Sequence, residues 1–269
     1  MYYKITTLVE NCVYGRKLQA EHGLSLYIET PEYKLLFDTG ASDLFIRNAR
    51  FLHIDLAQVD YLILSHGHSD HTGGLDSFLK INSRAEVVCK KEVFTPKFKD
   101  DRENGIRQSD SFDVSRFHFI DKQTELFPGC YLFPDIKITN PEDTHFERFY
   151  IKREGEKLPD TFQDELALAI VTPLGVSVLS ACSHRGITNI MRTVEAALPN
   201  QPFESVLGGF HIHTAEERKY RTIADYLQNN MPHHLGVCHC TGVDKYACFH
   251  HDFGDKVFYN YTGNIIISE

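Results

Sequence analysis

Six residues that directly follow a short apolar segment constrain this chain more than any other feature: His-Gly-His-Ser-Asp-His at positions 66–71. Their imidazoles and carboxylate are the nitrogen and oxygen donors that zinc and similar borderline metals prefer. On a turn, His66 and His68 can point to one centre while Asp70 and His71 diverge to a second. A polar surface loop with chance histidines is disfavoured, because clustered or buried histidines without partners are costly. The run therefore predicts a loop that holds two metal ions side by side.

Length, charge and cysteine content narrow the class of protein. The chain has 269 residues, enough for one large domain or two small ones. Its net charge is −9, and only short basic patches interrupt it, such as 90–91 and 97–99, so we expect no nucleic-acid partner. No apolar run has the length of a membrane span, and the start lacks the layout of a signal peptide, so we expect no membrane partner. Seven scattered cysteines, an odd number, then favour reduced thiols in the cytoplasm.

Apolar periodicity predicts strands and helices that repeat in two similar halves. In the first half we expect strands at 2–9, 24–29, 34–37, 61–64 and 86–89, and helices at 43–52 and 75–81. In the second half we expect strands at 166–171, 176–181, 204–207 and 234–239, and helices at 187–198 and 244–250. A capping box at 214–217 predicts one further helix, with Tyr220, Ile223, Ala224 and Leu227 on its apolar face. No linker separates the halves, so we expect a single domain over residues 1–269.

The stretch from about residue 92 to residue 164 differs from both halves, since it is rich in charge, aromatic residues and proline. We expect it to be an elaborated insertion, with short strands near 117–120 and 130–133. Because it interrupts the halves where a lid could cover the metals, we also expect it to form one wall of a substrate pocket. Its aromatic rings suit a flat organic substrate. The candidates for this wall are Phe112, Phe117, Phe146, Phe149 and Tyr150.

Several motifs, in order along the chain, resemble those of the metallo-β-lactamase superfamily. The run at 66–71, followed by Gly73-Gly74, resembles its signature, and Asp-Thr-Gly at 38–40 resembles its early turn. Residues 180–186 and 238–242 resemble its later histidine motifs. Residues 20–25, 182–186, 208–211 and 239–242 together resemble the 7,8-dihydropterin-6-methyl-4-(β-D-ribofuranosyl)aminobenzene-5'-phosphate synthase-like branch. The resemblance implies an α/β fold, a four-layer αββα sandwich in which two sheets pack together with helices outside.

The superfamily pattern also implies a set of metal ligands. His66, His68 and His184 would bind one metal ion, and Asp70, His71 and His239 would bind the second. We expect Zn²⁺ at both sites, with iron or manganese as alternatives, since histidine-rich sites accept all three. Neighbours on a strand point to opposite faces, so Cys238 and Cys240 should face away from a site that His239 faces. By the same logic we expect Cys182 to be a packing residue.

One part of the superfamily pattern is missing from this chain. Many members have an aspartate that bridges the two metals from a strand end, but here the corresponding segment, 206–211, contains no Asp. Either His211 takes that position, or the second metal is held more weakly; a third reading makes His211 a packing residue beside the site. Loss of one carboxylate makes the metal pair more positive by one unit. We therefore expect a highly anionic substrate, such as a phosphate or a diphosphate.

Five other polar residues are candidates for supporting roles. Asp38 lies in a tight-turn motif, so we expect it to brace the metal loop, as carboxylates that orient ligand histidines do. Glu21 and His22 lie in an early loop that would reach the rim of the cleft in this fold. His22 would contact substrate or transfer a proton there, and a plain surface role is the alternative. Asp164 and Glu165 precede the second-half strands and are candidates of the same kind.

The sequence supports more than one activity. In a two-metal hydrolase of an ester, lactone or phosphoester, zinc lowers the pKa of water from about 15.7 to about 7. The paired metals hold the attacking and leaving oxygens, and Asp70 receives the water proton. The branch resemblance implies instead a transferase, in which an arylamine attacks a pterin methyl diphosphate and diphosphate leaves. A metal-dependent binding protein without turnover is a third reading. We expect a hydrolase of an anionic small molecule, and no feature of the sequence specifies an oligomeric state.

Overall fold

The computed structural model describes residues 1–107 and 113–268, apart from the side chain of Val114. These residues form two compact units through which the chain passes alternately. The N-terminal unit comprises Tyr2–Asp121, Phe146–Glu165 and Tyr261–Glu269; the C-terminal unit comprises Met1, Lys122–His145 and Leu166–Asn260. The expectation of a single domain over 1–269 stays a prediction. Phe112, one candidate for the pocket wall, lies outside the described residues.

Within the described residues the chain forms eighteen strands and six α-helices. The strands are β1 Lys4–Val9, β2 Ser25–Glu29, β3 Lys34–Phe37, β4 Tyr61–Ile63, β5 Glu86–Cys89, β6 Lys97–Lys99, β7 Arg102–Glu103, β8 Phe117–Phe119, β9 Thr124–Phe127, β10 Cys130–Phe133, β11 Phe149–Arg153, β12 Glu156–Pro159, β13 Ala167–Thr172, β14 Gly175–Ser180, β15 Phe203–Gly208, β16 His234–Val237, β17 Val257–Tyr259 and β18 Ile265–Ile267. The helices are α1 Leu44–Phe51, α2 Ser69–Thr72, α3 Leu75–Ile81, α4 Ile187–Ala197, α5 Glu217–Asn230 and α6 Val243–Phe253. Among these helices, none combines the length and the apolar character needed to cross a membrane.

The N-terminal unit contains a seven-stranded mixed sheet in the order β18-β1-β2-β3-β4-β5-β8. Pairs from β18 to β3 are antiparallel, and pairs from β3 to β8 are parallel, with Leu36 opposite Leu62 at the start of the parallel part. Apolar residues of β3 and β4 are buried, as expected for strands covered on both faces. Helices α1 and α3 contribute Phe45 and Phe78 to the core of this unit. Strand β4, in the parallel half of this sheet, leads into the histidine-rich loop at residues 66–71.

The C-terminal unit contains a second seven-stranded sheet, ordered β17-β16-β15-β14-β13-β10-β9. It repeats the pattern of the first, because the pairs from β17 to β14 are parallel and those from β14 to β9 are antiparallel. All six residues of β14 are buried. The two similar halves predicted from periodicity are thus two sheets with the same mixed arrangement.

The insertion predicted at about 92–164 is distributed over both units. Strand β8 extends the first sheet, and β9 and β10 extend the second. The remaining strands form a separate antiparallel sheet in the N-terminal unit, in the order β12-β11-β6-β7. The description as one elaborated insertion is therefore incomplete, because long-range strand pairing divides the segment among three sheets.

Most predicted elements are present with ends displaced by one or two residues, and one helix start was wrong. Helix α5 begins at Glu217 after Glu216, not after Thr214, and Glu216 makes no capping bond through its side chain. The predicted apolar face of this helix is correct: Tyr220, Ile223, Ala224 and Leu227 are its buried residues. The capping-box pattern at 214–217 therefore predicted that a helix is present but placed its start too early.

Candidate metal centre

In the N-terminal unit, three imidazoles converge directly after β4. His66, His68 and His71 are all at most 4% exposed. The ring centroids of His66 and His71 are 4.3 Å apart, and those of His66 and His68 are 4.7 Å apart. The backbone between them fits tightly, since a Cβ at Gly67 would lie 2.3 Å from the carbonyl oxygen of Val93. Only glycine fits at this point of the loop.

Asp38 lies beneath this loop and accepts hydrogen bonds from it. Its carboxylate accepts from the backbone N–H of Ser65 at 2.8 Å, from the Ser65 hydroxyl at 2.6 Å, and from Nδ1 of His71 at 2.7 Å. Asp38 itself is fully buried and has a left-handed φ of 60°, which is uncommon for a residue with a side chain. Strand β3 and the strained turn after it thus place one carboxylate against two parts of the histidine loop.

These bonds determine which nitrogen of two rings carries the proton. A carboxylate only accepts, so Nδ1–H of His71 donates to Asp38. The single hydroxyl proton of Ser65 also goes to Asp38, so Nδ1–H of His66 must donate to Ser65 Oγ, 2.9 Å away. In both rings the lone pair is therefore on Nε2. This is the tautomer in which a histidine binds a metal while its other nitrogen donates to an orienting group.

Burial and charge act differently on the three rings. Burial lowers the pKa of His66 well below its usual value, and the neighbouring His71 and His68 lower it further. Burial likewise lowers the pKa of His68. Burial also opposes a charge on His71, but Asp70 and Asp38 outweigh it and raise the pKa of that ring. Burial thus favours the neutral form of His66 and His68. Asp70 and Asp38, which favour a proton on His71, would attract any other cation nearby in the same way.

His22 and Glu21, adjacent in sequence, have different surroundings. The ring of His22 is mostly exposed, and its Nε2 lies 3.2 Å from Asp70 Oδ2, so it reaches a predicted metal ligand. Its Nδ1 lies 3.1 Å from the side-chain amide of Asn11. Glu21 instead accepts from the backbone N–H and the hydroxyl of Ser42, at 3.1 and 2.6 Å. Its carboxylate is engaged at the loop that precedes α1.

A buried ion cluster supports the loop from the opposite side. Asp164 accepts from the backbone N–H of Gly67 at 2.6 Å through one oxygen and from Lys97 Nζ at 2.9 Å through the other. Lys97 also donates to Asp160 at 2.6 Å, and all three charged side chains are nearly inaccessible to solvent. Burial opposes the charge on Lys97, but Asp164 and Asp160 outweigh it and raise its pKa. Of the short basic patch at 97–99, Lys97 is buried and its charge is balanced by two carboxylates that are more than 60 residues away in sequence.

Aromatic residues near the end of the insertion pack on His68. The rings of Phe149 and Phe162 lie 5.1 and 5.2 Å from the His68 ring. Lys99 Nζ lies 5.3 Å from the centre of the Phe149 ring. Glu165 is buried beside them and donates its backbone N–H to the carbonyl of Phe162 at 3.1 Å. This side of the loop thus combines two buried aromatic rings with two cations, Lys97 and Lys99.

In the C-terminal unit, His184 follows β14 and is fixed by a residue that sequence reasoning missed. Nδ1–H of His184 donates to the backbone carbonyl of His145 at 3.2 Å, and the His145 N–H donates to the His184 carbonyl at 2.8 Å. Because a carbonyl only accepts, the lone pair of His184 is on Nε2. His145 carries no motif of its own, so only the folded chain shows its relation to His184.

The expectation that strand alternation turns Cys240 away from the site that His239 faces was wrong, and the same expectation for Cys238 stays a prediction. Strand β16 ends at Val237, and His239–Thr241 forms a short 3₁₀ helix in which His239 has a φ of 51°. Alternation applies only to extended backbone, so it does not orient these side chains. Donor atoms of Cys182, His239 and Cys240 all lie within 4.8 Å of one another, as do those of Cys182, His184 and His211. The C-terminal unit therefore gathers three predicted site histidines around Cys182.

Comparison with known proteins identifies the family. The family model of the metallo-β-lactamase superfamily matches residues 19–173. This chain belongs to the metallo-β-lactamase superfamily. The predicted α/β metallo-β-lactamase-like fold is confirmed by a solved structure of Tm1679, a metal-dependent hydrolase of the β-lactamase superfamily. It has a TM-score of 0.85 and 30% identity, with 98% of each chain covered.

Two further superfamily members define how broad the similarity is. The chain is 28% identical to the 7,8-dihydropterin-6-methyl-4-(β-D-ribofuranosyl)-aminobenzene-5'-phosphate synthase of Methanocaldococcus jannaschii, over 98% of this chain and 96% of that protein. This match confirms the branch resemblance read from the motifs. The metallo-β-lactamase fold protein YhfI from Bacillus subtilis has a TM-score of 0.61 at 13% identity, with 99% of each chain covered, which shows the fold alone.

Proposed function

We propose that this chain is a metal-dependent hydrolase that acts on an anionic, phosphate- or ester-bearing small molecule through two metal ions. The proposed ligands are His66, His68 and His184 for one ion and Asp70, His71 and His239 for the other, in the order of the superfamily motifs. Zn²⁺ is the proposed metal, with iron or manganese as alternatives. A cytoplasmic location and a small-molecule substrate, rather than nucleic acid, complete the proposal.

The observation that carries the proposal is the proton arrangement of the buried histidines. Nδ1 of His71 donates to Asp38, Nδ1 of His66 donates to Ser65, and Nδ1 of His184 donates to a carbonyl. Each bond leaves the lone pair on Nε2, and burial lowers the pKa of His66 and keeps it neutral. Neutral, oriented imidazoles are the form that binds a metal ion, so the donor set fits the metals that the superfamily implies.

The chain's own residues supply proton transfer and substrate contacts. Bound metal ions would supply Lewis acidity and lower the pKa of water toward neutrality. Asp70 accepts a proton from the attacking water, and His22, 3.2 Å away and mostly exposed, passes it to solvent. Phe149 is nearly fully buried against His68 and helps hold that ring, and Lys99 beside it attracts the anionic group of the substrate.

A second candidate function is the transferase reaction named by the M. jannaschii relative. The similarity covers nearly the whole of both chains. The absence of aspartate from residues 206–211 also favours it, since an arylamine nucleophile needs no hydroxide. In that reaction the protein orients a pterin methyl diphosphate toward the amine, and Lys99 near His68 attracts the diphosphate.

One assay separates the two activities and the non-enzymatic reading. The metal-loaded protein is incubated with a dihydropterin methyl diphosphate, with and without the ribofuranosyl aminobenzene phosphate, and in parallel with phosphodiesters and lactones. Amine-independent release of the alcohol from any substrate supports the hydrolase. Product with a new C–N bond, formed only when the amine is present, supports the transferase. Tight binding of a substrate without product contradicts both and favours a binding protein.

A further inference from the structure

The thiol of Cys182 occupies a distinctive position in the C-terminal unit. Its donor atom lies within 4.8 Å of a donor atom of His184 and also within 4.8 Å of one of His239. By the superfamily pattern these two histidines belong to different metal ions. A side chain near one proposed ligand of each ion is a candidate for a ligand that the two ions share. Cys182 is only 2% exposed, so its side chain faces the interior of this unit.

The spacing suits a metal site. In a tetrahedral zinc site with Zn–S bonds of about 2.3 Å and Zn–N bonds of about 2.0 Å, sulfur and nitrogen ligands lie about 3.6 Å apart. The sulfur of Cys182 lies within 4.8 Å of a donor atom of His184 and, in a separate group, within 4.8 Å of one of His239. Small rotations of the side chains would therefore bring sulfur and nitrogen to bonding distance of one ion.

A second cysteine in the same group, Cys240, has a different role. Its S–H donates to the backbone carbonyl of Cys182 at 3.6 Å, and its sulfur accepts the backbone N–H of His211 at 3.2 Å. Both contacts tie the sulfur of Cys240 to the backbone of Cys182 and His211. Backbone packing also holds Cys240 in place, since a Cβ at Gly209 would lie 2.5 Å from its sulfur. Cys240 therefore supports the backbone near the site.

The charge of the proposed ligand set favours a thiolate ligand at Cys182. Residues 206–211 lack the aspartate that bridges the metals in much of the superfamily, and His211, a neutral imidazole when it binds a metal, cannot replace that negative charge. A cysteine thiolate carries the same charge as the absent carboxylate and is a strong ligand for zinc. Its proton passes to solvent when the metal binds.

We propose that Cys182 binds the metal pair as a thiolate bridging ligand, in place of the missing aspartate. This proposal rests on the proposed metal centre and adds one ligand to it. It assigns a coordinating role to a residue that strand alternation had placed among the packing residues, and it gives the C-terminal unit three ligands: His184, His239 and Cys182.

Cobalt substitution tests the proposal without an activity assay. The apoprotein is loaded with Co²⁺, and its absorption spectrum is recorded for the wild type, Cys182→Ser and Cys240→Ser. A thiolate ligand produces an intense sulfur-to-cobalt charge-transfer band in the near ultraviolet, whereas histidine and carboxylate ligands produce only weak visible bands. We expect the charge-transfer band in the wild type and in Cys240→Ser, and its loss in Cys182→Ser with the visible bands retained.

The other outcomes separate this proposal from the metal centre itself. Visible cobalt bands without charge transfer in the wild type would overturn the role of Cys182 and leave the metal centre standing. Failure of the wild type to bind cobalt would overturn both. If Cys182→Ser does not fold, X-ray absorption of the zinc-loaded Cys240→Ser protein decides the question. A sulfur neighbour at about 2.3 Å supports Cys182, and a shell of nitrogen and oxygen alone contradicts it.

Discussion

Four residues near the candidate centre share a backbone conformation that is rare for side chains larger than glycine. Asp38, Ser183, His211 and His239 all have a φ between 51° and 60°. Such strain persists where the surrounding structure holds it, and it clusters at functional sites. The sequence predicted the ligand types and their order but not this feature. Alternation did not predict that Cys240 lies near His239, because alternation along a strand does not continue through a left-handed residue.

At the residue scale, Asp38→Asn should weaken metal binding by about 10–100-fold, the usual cost of losing an orienting carboxylate. An amide cannot provide the charge that Asp38 directs toward His71 Nδ1. Competition for zinc against a chelating dye measures the effect. The control is Asp76→Asn, a half-exposed aspartate of α3 that forms an ion pair with Lys80 of the same helix. Equal zinc affinity in the wild type and in Asp38→Asn would show that the carboxylate does not act on the metal.

A second residue-scale prediction concerns His68, whose removal should abolish activity while the fold survives. His68 lies on a loop after β4, and the core strands do not depend on it. Far-ultraviolet circular dichroism is measured for His68→Ala, together with its turnover of the substrate that the proposed assay identifies for the wild type. The control is His118→Ala, an exposed histidine on β8. An unfolded His68→Ala protein would mean that the metal is structural rather than catalytic.

At the scale of elements, the sequence predicted helices and central strands well and the insertion poorly. Helix α3 and strands β5 and β10 have the predicted bounds, because local apolar periodicity defines them. Strand β8 pairs with β5 and β6 pairs with β11, neither of which is its neighbour along the chain, and no local pattern reveals these partners. The ion cluster of Lys97 could not be predicted for the same reason, because its two carboxylates come from the far end of the insertion.

The prediction at this scale is that Lys97→Met destabilises the protein by about 3–5 kcal/mol, as expected when one partner of a buried ion pair is removed. The substitution leaves Asp160 and Asp164 buried without their cation. Urea unfolding of the metal-free protein measures the change. The control is Lys99→Met, two residues along the same strand, which we expect to change stability by less than about 1 kcal/mol. If the two variants are equally stable, the cluster does not anchor the loop.

At the scale of the whole molecule, composition and motif order predicted the family and the fold class. Two sheets with the same mixed strand arrangement correspond to the two halves seen in the periodicity. The composition could not predict that the chain alternates between two units. That alternation depends on residues 122–145 packing in the C-terminal unit while residues 146–165 pack in the N-terminal unit.

Removal of metal should lower stability without unfolding the protein. A metal present at 100 times its dissociation constant stabilises the native state by about 2.7 kcal/mol per site. Each core is built from buried apolar strands, so circular dichroism at 25 °C should not change on chelation. Thermal unfolding with and without a chelator should show a lower midpoint in the chelated protein, restored by zinc. An unchanged midpoint would mean that no metal binds the folded chain.

Metal content per chain tests the central claim most directly. Elemental analysis of the purified protein, supplemented with zinc and freed of excess, should give two metal ions per chain. His239→Ala, which removes a ligand of the proposed second site, should retain about one, and the exposed control His118→Ala should retain two. A wild-type protein that holds no metal after supplementation would contradict the account.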